Sequence, residues 1–318
     1  MNEGRVSQGK QGKITVSVIM IFLDAERFIA EAIDSVFSQT RVDWELILVD
    51  DGSTDGSAGI VSSYVEAHPD RIRLLSHPGG KNLGTGASRQ LGLLNARGEY
   101  IAFLDSDDIW LPEKLARQVA RMDASPTAQM VYGPTMLWHS WQPDSISRPR
   151  DALRLLGVRP ERLIDPPNLI PRFLRERALP PSTCGLLVRR AAALSAGGFD
   201  ERFRGMYEDQ AFLYKLCLRE TVYVSGECWD LYRQHPYSTT IRSEASGWYD
   251  DNGPSLAHRD FLDWFAAYAE REGRLEPEIA RALRIARLPY THPLIARVWR
   301  RLDTFVTKRL RRAGLVPM

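Results

Sequence analysis

The thirteen residues Tyr100–Pro112 (Tyr-Ile-Ala-Phe-Leu-Asp-Ser-Asp-Asp-Ile-Trp-Leu-Pro) constrain the fold more than any other stretch of the chain. The opening run of five apolar or small residues reads as a fully buried strand. That strand delivers three carboxylates, Asp105, Asp107 and Asp108, into the loop at its carboxyl end. Pro112 marks a helix start, with Glu113 in the first turn and Leu115, Val119 and Met122 along one face,. Gathering acids at the end of a buried strand is costly unless positive charge neutralises them. Mg²⁺ is held in this way, by one or two carboxylates together with the phosphates of a substrate. An acidic loop with a helix cap accounts for the same residues, and this stretch alone does not separate the two.

The remainder of the first half repeats the strand–helix pattern. Ile14–Leu23 is apolar and rich in β-branched residues, as a strand covered on both faces should be,. Asp24 is placed to cap the helix that follows, where Ile29, Ala32, Ile33, Val36 and Phe37 form one stripe,. Leu46–Val49 is a second strand, ending in Asp50-Asp51-Gly52-Ser53-Thr54-Asp55. It leads to a helix with Ile60, Val61, Tyr64 and Val65 inward. Ile72–Leu75 is a third strand, followed by the Gly-rich loop Gly79–Gly86 and a helix through Ala96. Four such alternations predict a parallel α/β sheet, whose ligands gather at the carboxyl ends of its strands. Those ends carry Asp24, Asp50, Asp51, Asp105 and Asp107, so independent segments put acids on one rim.

The second half is less regular. Met130–Tyr132, Leu137–Trp141 and Gly185–Val188 read as strands, and Thr221–Ser225 with Cys228–Arg233 as a strand pair. Arg189–Ala196 and Glu208–Leu218 read as helices, and the Arg- and Pro-rich span Ser145–Pro181 as an insertion with one or two short helices. From about Gly253 the pattern is helical. Arg281–Met318 holds ten Lys or Arg against Asp303 alone, with Ala282, Ile285, Leu288, Leu294, Ile295, Val298, Trp299, Leu302, Phe305 and Val306 at helical spacing. Such a helix suits an anionic membrane surface; it equally suits packing on the main domain with its arginines in water.

At 318 residues, with 44% hydrophobic and 26% charged positions, the chain is an ordinary globular one,. A net charge of +2 gives no bulk attraction to nucleic acid,. Cys184, Cys217 and Cys228 have neither metal-ligand spacing nor an even count, which fits idle thiols in a reducing compartment,. No run approaches the roughly 18 apolar residues of a membrane span. Ile14–Leu23 lacks a cleavage site, so a cytoplasmic protein is expected, peripheral at the membrane if the C-terminal helix binds there,.

Several motifs admit bland readings. Asp50–Asp55 resembles a calcium loop, but the twelfth position is Ser62 or Val61 where an EF-hand needs an acid, which discards that reading,. Ser53 or Asp55 serves as a cap, and Asp51 is free to receive the N–H of a nucleobase. Gly79–Gly86 fits neither the Walker nor the dinucleotide pattern,. Arg89, one turn into the next helix, is a phosphate clamp or a surface ion-pair partner. Acids at a helix N-terminus, as in Glu208-Asp209, are commonplace because they complement its dipole. A lone His such as His235 is more often packed than a ligand.

Together, Ser17–Met20, Glu45–Ser57, Asn82-Leu-Gly with Arg89, Gly98–Asp108 and Glu208-Asp209 resemble the family 2 glycosyltransferases, in that order and at family-like separations. The resemblance spans about Thr15 to Thr240. It implies the GT-A fold, a Rossmann-like and mostly parallel sheet flanked by helices, and inverting transfer from a nucleotide-sugar donor. It further implies that Asp51 holds the base, with Phe22, Asp24 and Glu26 beside the nucleoside and Asn82, Arg89 and Ser106 along the donor. Asp105 and Asp107 would be the DXD pair, Asp107 the more direct ligand of Mn²⁺ or Mg²⁺. Asp209 would be the general base with Glu208 in support, His235 would help the metal, and Arg233 would steady the leaving group.

The chain departs from the family where Ile21-Phe22-Leu23-Asp24 replaces Pro-x-Tyr-Asn and where Gln90 replaces an Asn. The resulting expectation is a tail over 1–13 and a GT-A domain over 14–245. Within that domain 14–125 binds the donor and 126–245 the acceptor, a glycan or lipid-linked hydroxyl; a helical extension covers 246–318. The rivals are a sugar nucleotidyltransferase, whose Arg-containing Gly-rich loop after the first strand is absent here, and a non-catalytic nucleotide-sugar-binding protein.

Overall fold

The computed structural model describes residues 14–142, 149–247, 249 and 254–292. Strand β1 (Val16–Phe22) leads to α1 (Ile29–Phe37), β2 (Trp44–Asp50) to α2 (Ser57–Ala67), and β3 (Ile72–Ser76) to α3 (Thr85–Asn95). Next come β4 (Tyr100–Phe103), β5 (Ile109–Trp110), α4 (Lys114–Ala124), β6 (Met130–Tyr132) and β7 (Thr135–Trp138). Then follow β8 (Ala152–Arg154), β9 (Arg162–Ile164), α5 (Ile170–Leu174), β10 (Leu186–Arg189), α6 (Arg190–Ser195) and α7 (Glu208–Arg219). Strands β11 (Val222–Val224) and β12 (Asp230–Arg233) precede α8 (Thr239–Ala245), α9 (Leu256–Arg271) and α10 (Pro277–Thr291).

The main sheet has the order β3-β2-β1-β4-β10-β6-β11-β9, with β3, β2, β1 and β4 parallel and β10 antiparallel to both its neighbours. A smaller sheet, β5-β12-β7-β8, stands beside it. Strand order reverses at β1, which has β2 on one side and β4 on the other, and that switch point is where open α/β sheets bind ligands,. Alternation on β1 is clean. Val16, Val18, Met20 and Phe22 join the core under α1 and α4, while Ile19 joins the core under α3, α7 and α9,. Ser17 lies inside the sheet because its hydroxyl donates to Glu45 Oε1 at 2.6 Å and accepts from Gly98 N at 2.8 Å,. Helix α3 packs so closely on β1 that a Cβ at Gly92 would lie 2.5 Å from Ile19 Cγ2.

The structure corrects three expectations. Asp24 does not cap α1, which starts behind Phe28; Asp24 sits at φ 50° and accepts from Thr54 N at 2.7 Å. The strands β11 and β12 do not pair with each other. β11 joins β6 and β9 in the main sheet, whereas β12 joins β5 and β7 in the small one. The Arg- and Pro-rich insertion supplies two edge strands, β8 and β9, besides its one short helix, α5. Short strands lack the periods that sequence reading relies on, so tertiary pairing decides them. Of the basic C-terminal pattern, Ala282 lies in α10 and is buried, while Leu294 onward falls outside the described residues.

Candidate active site

Three loops meet at the switch point. The turn after β2 is pinned from the β1 side: Asp24 and Glu26 accept the amides of Thr54 (2.7 Å) and Gly56 (2.8 Å). Phe22 accepts the Asp51 amide at 2.9 Å. Asp51 is buried, and its carboxylate accepts from Leu83 N at 2.9 Å, Gly84 N at 3.0 Å and the Ser88 hydroxyl at 3.0 Å. The acid expected to meet a nucleobase therefore first organises the Gly-rich loop; a carboxylate offers about four acceptor positions, which leaves room for one more donor. Asn82, beside it, is exposed.

Adjacent residues of α3 join this cluster to the next. Ser88 binds Asp51, and Arg89 donates to Asp105 Oδ1 at 2.6 Å and to Glu208 Oε1 at 2.7 Å. Burial alone would weaken the charge on Arg89, but Asp105 and Glu208 outweigh it and hold the guanidinium firmly protonated,. Arg89 is thus neither a surface partner nor an open clamp: it links the aspartate turn after β4 to the start of α7. Asp209, next to Glu208, is half-buried; burial and the neighbouring Glu208 push its pKa up to about 6.

The aspartate turn is latched from below. Asp108 is fully buried, accepting the Arg233 amide at 2.9 Å and the Cys184 thiol at 3.1 Å, while that sulfur accepts the Asp105 amide at 3.2 Å. Arg233 lies under the same turn. Its Nε donates to the Asp107 carbonyl at 2.7 Å, its Nη2 meets Glu31, and the rings of Phe28, Trp138 and Trp141 surround it at 4.6–5.0 Å. The Asp107 carboxylate has its Oδ2 2.9 Å from Nε2 of His235, which packs against Phe28. Ser106, between the acids, is half-exposed.

Asp105, Asp108 and Cys184 offer ligand atoms within 4.8 Å of one another and could hold a metal. Burial raises the Cys184 thiol well above its ordinary value, and hard divalent cations prefer oxygen ligands to sulfur,. Asp107 and His235, the other expected ligands, form a pair of their own. Their atoms stand 2.9 Å apart, an ordinary hydrogen-bond distance,. Asp105, expected as a ligand as well, turns one carboxylate oxygen to Arg89 and also belongs to the cluster with Asp108 and Cys184. Among the residues that sequence reading did not assign to the site, Cys184 is 76 positions from Asp108 and the rings around Arg233 come from as far back as Phe28, so only the fold brings them together.

The model of the family described as glycosyl transferase family 2 matches residues 17–193, more than half of the chain. The chain belongs to glycosyl transferase family 2. The EpsE protein of Bacillus subtilis (strain 168) is 43% identical over 116 residues, 36% of this chain and 41% of that one. WfgD of Escherichia coli, named as a UDP-Glc:alpha-D-GlcNAc-diphosphoundecaprenol beta-1,3-glucosyltransferase, is 41% identical over 107 residues, 34% of this chain and 40% of its own. The chain thus spans about two fifths of the length of these curated relatives. In structure, this family 2 chain is similar to TarS 1-349 of S. aureus in complex with UDP-GlcNAc. The TM-score is 0.64 at 20% identity, covering 87% of this chain and 73% of that one. At that identity the likeness speaks for the fold, which is that of GT-A glycosyltransferases.

Proposed function

We propose that the protein transfers a sugar with inversion from a nucleotide-sugar donor to a hydroxyl of a glycan or lipid-linked acceptor in polysaccharide synthesis. The carrying observation is the Ser88–Arg89 pair, which ties Asp51, Asp105 and Glu208-Asp209 into one connected site at the switch point. Asp209, with a pKa near 6, is deprotonated at neutral pH and takes the proton of the acceptor hydroxyl as its oxygen attacks the anomeric carbon,. Glu208 is occupied by Arg89, which fixes the helix start and leaves the proton to its neighbour. Asp51 keeps the base-facing loop in shape, and Asp105 reaches toward the ribose. Asp107 and His235 would hold Mn²⁺ or Mg²⁺, whose charge offsets the departing diphosphate. Arg233 acts from beneath, holding the turn that presents Asp107.

Solved structures of the fold were obtained with UDP-GlcNAc and with GDP-Man and Mn²⁺, which supports a nucleotide-sugar and a divalent cation here. WfgD's named acceptor supports a lipid-linked glycan, and the family's common donor favours UDP. A thermal-shift panel of UDP-, GDP- and dTDP-sugars, with and without Mn²⁺, tests the reading by mass action. A metal-dependent rise with one nucleotude class is expected; no rise with any donor would overturn it.

A further inference from the structure

Helix α7 begins on a backbone conformation that its own sequence disfavours. Tyr207, immediately before Glu208, has φ 70° and ψ 4°, the left-handed region that bulky side chains avoid, and no side chain caps the helix there,. A residue held this way beside the chemistry persists only when its surroundings over-determine it. The surroundings are the C-terminal helices. The Tyr207 ring stacks with Phe261 of α9 (centroids 4.9 Å, planes 19°) and with His258 of α9 (5.7 Å, 11°). His258 Nδ1 in turn lies 2.9 Å from the Tyr290 hydroxyl of α10.

The segment leading into Tyr207 is gripped from both sides. Trp264 of α9 donates to Asp200 Oδ2 at 2.9 Å and meets the Phe203 ring edge-on at 5.2 Å. Opposite, a Cβ at Gly84 would stand 2.9 Å from the Arg204 carbonyl oxygen, and one at Gly86 3.0 Å from that of Phe203. Asp200–Tyr207 therefore runs between α3, which carries Arg89, and α9, which carries the stacking rings.

We propose that Tyr207 is a positioning residue for sugar transfer, its ring clamped by α9 so that the left-handed turn it occupies aims Asp209 at the acceptor hydroxyl. The inference rests on the reading of Asp209 as the base. It makes the C-terminal helices part of the catalytic apparatus. A ring that only filled the core would, on removal, cost stability without changing turnover per folded molecule. A positioning ring changes kcat and leaves the affinity for donor alone, because the residues assigned to the donor, Asp51 and Asp105 among them, follow β2 and β4.

The test is steady-state release of UDP by the full chain from UDP-glucose and UDP-GlcNAc with Mn²⁺, with an alkyl glycoside or water as acceptor. Tyr207→Phe, Tyr207→Ala, Tyr207→Gly and Phe261→Leu are compared with Asp209→Asn. Tyr207→Ala is expected to lose about a hundredfold in kcat, the scale of a small misplacement, at an unchanged donor KM. Tyr207→Phe, which keeps the ring, should recover most of the kcat that Tyr207→Ala loses. Tyr207→Gly, at ease in the left-handed region but unheld, should fall in between. Wild-type kcat in Tyr207→Ala, a loss expressed in donor KM, or an equal loss in Tyr207→Phe would each overturn the proposal. If Tyr207→Ala does not fold, Phe261→Leu decides: lowered kcat at constant KM supports the clamp, and wild-type kcat removes it. Full turnover by Asp209→Asn would instead discard the base, whatever Tyr207 does.

Discussion

Asp209 differs from an ordinary aspartate in where its proton sits. With a pKa near 6, raised by burial and Glu208, it accepts protons only above that pH, so kcat should rise through about pH 6 and level off,. Asp209→Asn should lose roughly 10²–10⁴-fold in transfer while binding donor normally, measured by turnover beside calorimetric titration. Stability has the opposite slope. The folded protein holds this proton more tightly than the unfolded chain, so the side chain favours folding below its unfolded pKa and loses that contribution as pH rises through about 6,. The Asn variant, neutral at every pH, should therefore melt above wild type at pH 8, and the gap should close as the pH falls to 4,. Arg89→Met should be harsher, at about 3–5 kcal/mol by urea denaturation, because it strands buried Glu208 without its cation,. The acids themselves were legible in the sequence, since each ends a recognisable strand or opens a helix. The pairing of Arg89 with Glu208, 119 positions apart, was not, and His235, 128 positions from Asp107, was reached only through the family resemblance.

At the level of elements, the parallel strands β1 to β4 could be read directly because each is a short, predominantly apolar run followed by turn residues,. The small sheet was harder. β5 has only two residues and β12 four, and neither carries a period that names its neighbour. The seat of α3 on β1 was likewise hidden in a single glycine. Gly92→Ala should cost about 1–3 kcal/mol, read as a lowered urea midpoint with unchanged slope, because the added carbon would strike Ile19 inside a filled core,. The same helix carries Ser88 and Arg89, so the variant should also lose activity.

For the whole molecule, chelation and reconstitution separate the metal from the fold. EDTA should abolish transfer without unfolding the protein, Mn²⁺ should restore it, and His235→Ala should raise the half-saturating Mn²⁺ concentration by at least about tenfold. Wild-type metal dependence in that variant would remove His235 from the set. Composition and charge foretold an ordinary globular chain, but they carried no sign that α9 would lie against the approach to Asp209. The interleaving of the main sheet has one further consequence. β10, from late in the chain, is inserted between β4 and β6, while β5, from the first 125 residues, is lent to the small sheet. Neither half can be lifted out intact. A chimera made by joining the first 125 residues to the rest of a related enzyme would break hydrogen-bonded ladders in both sheets, so altered acceptor preference is better sought by exchanging rim loops than by shuffling halves.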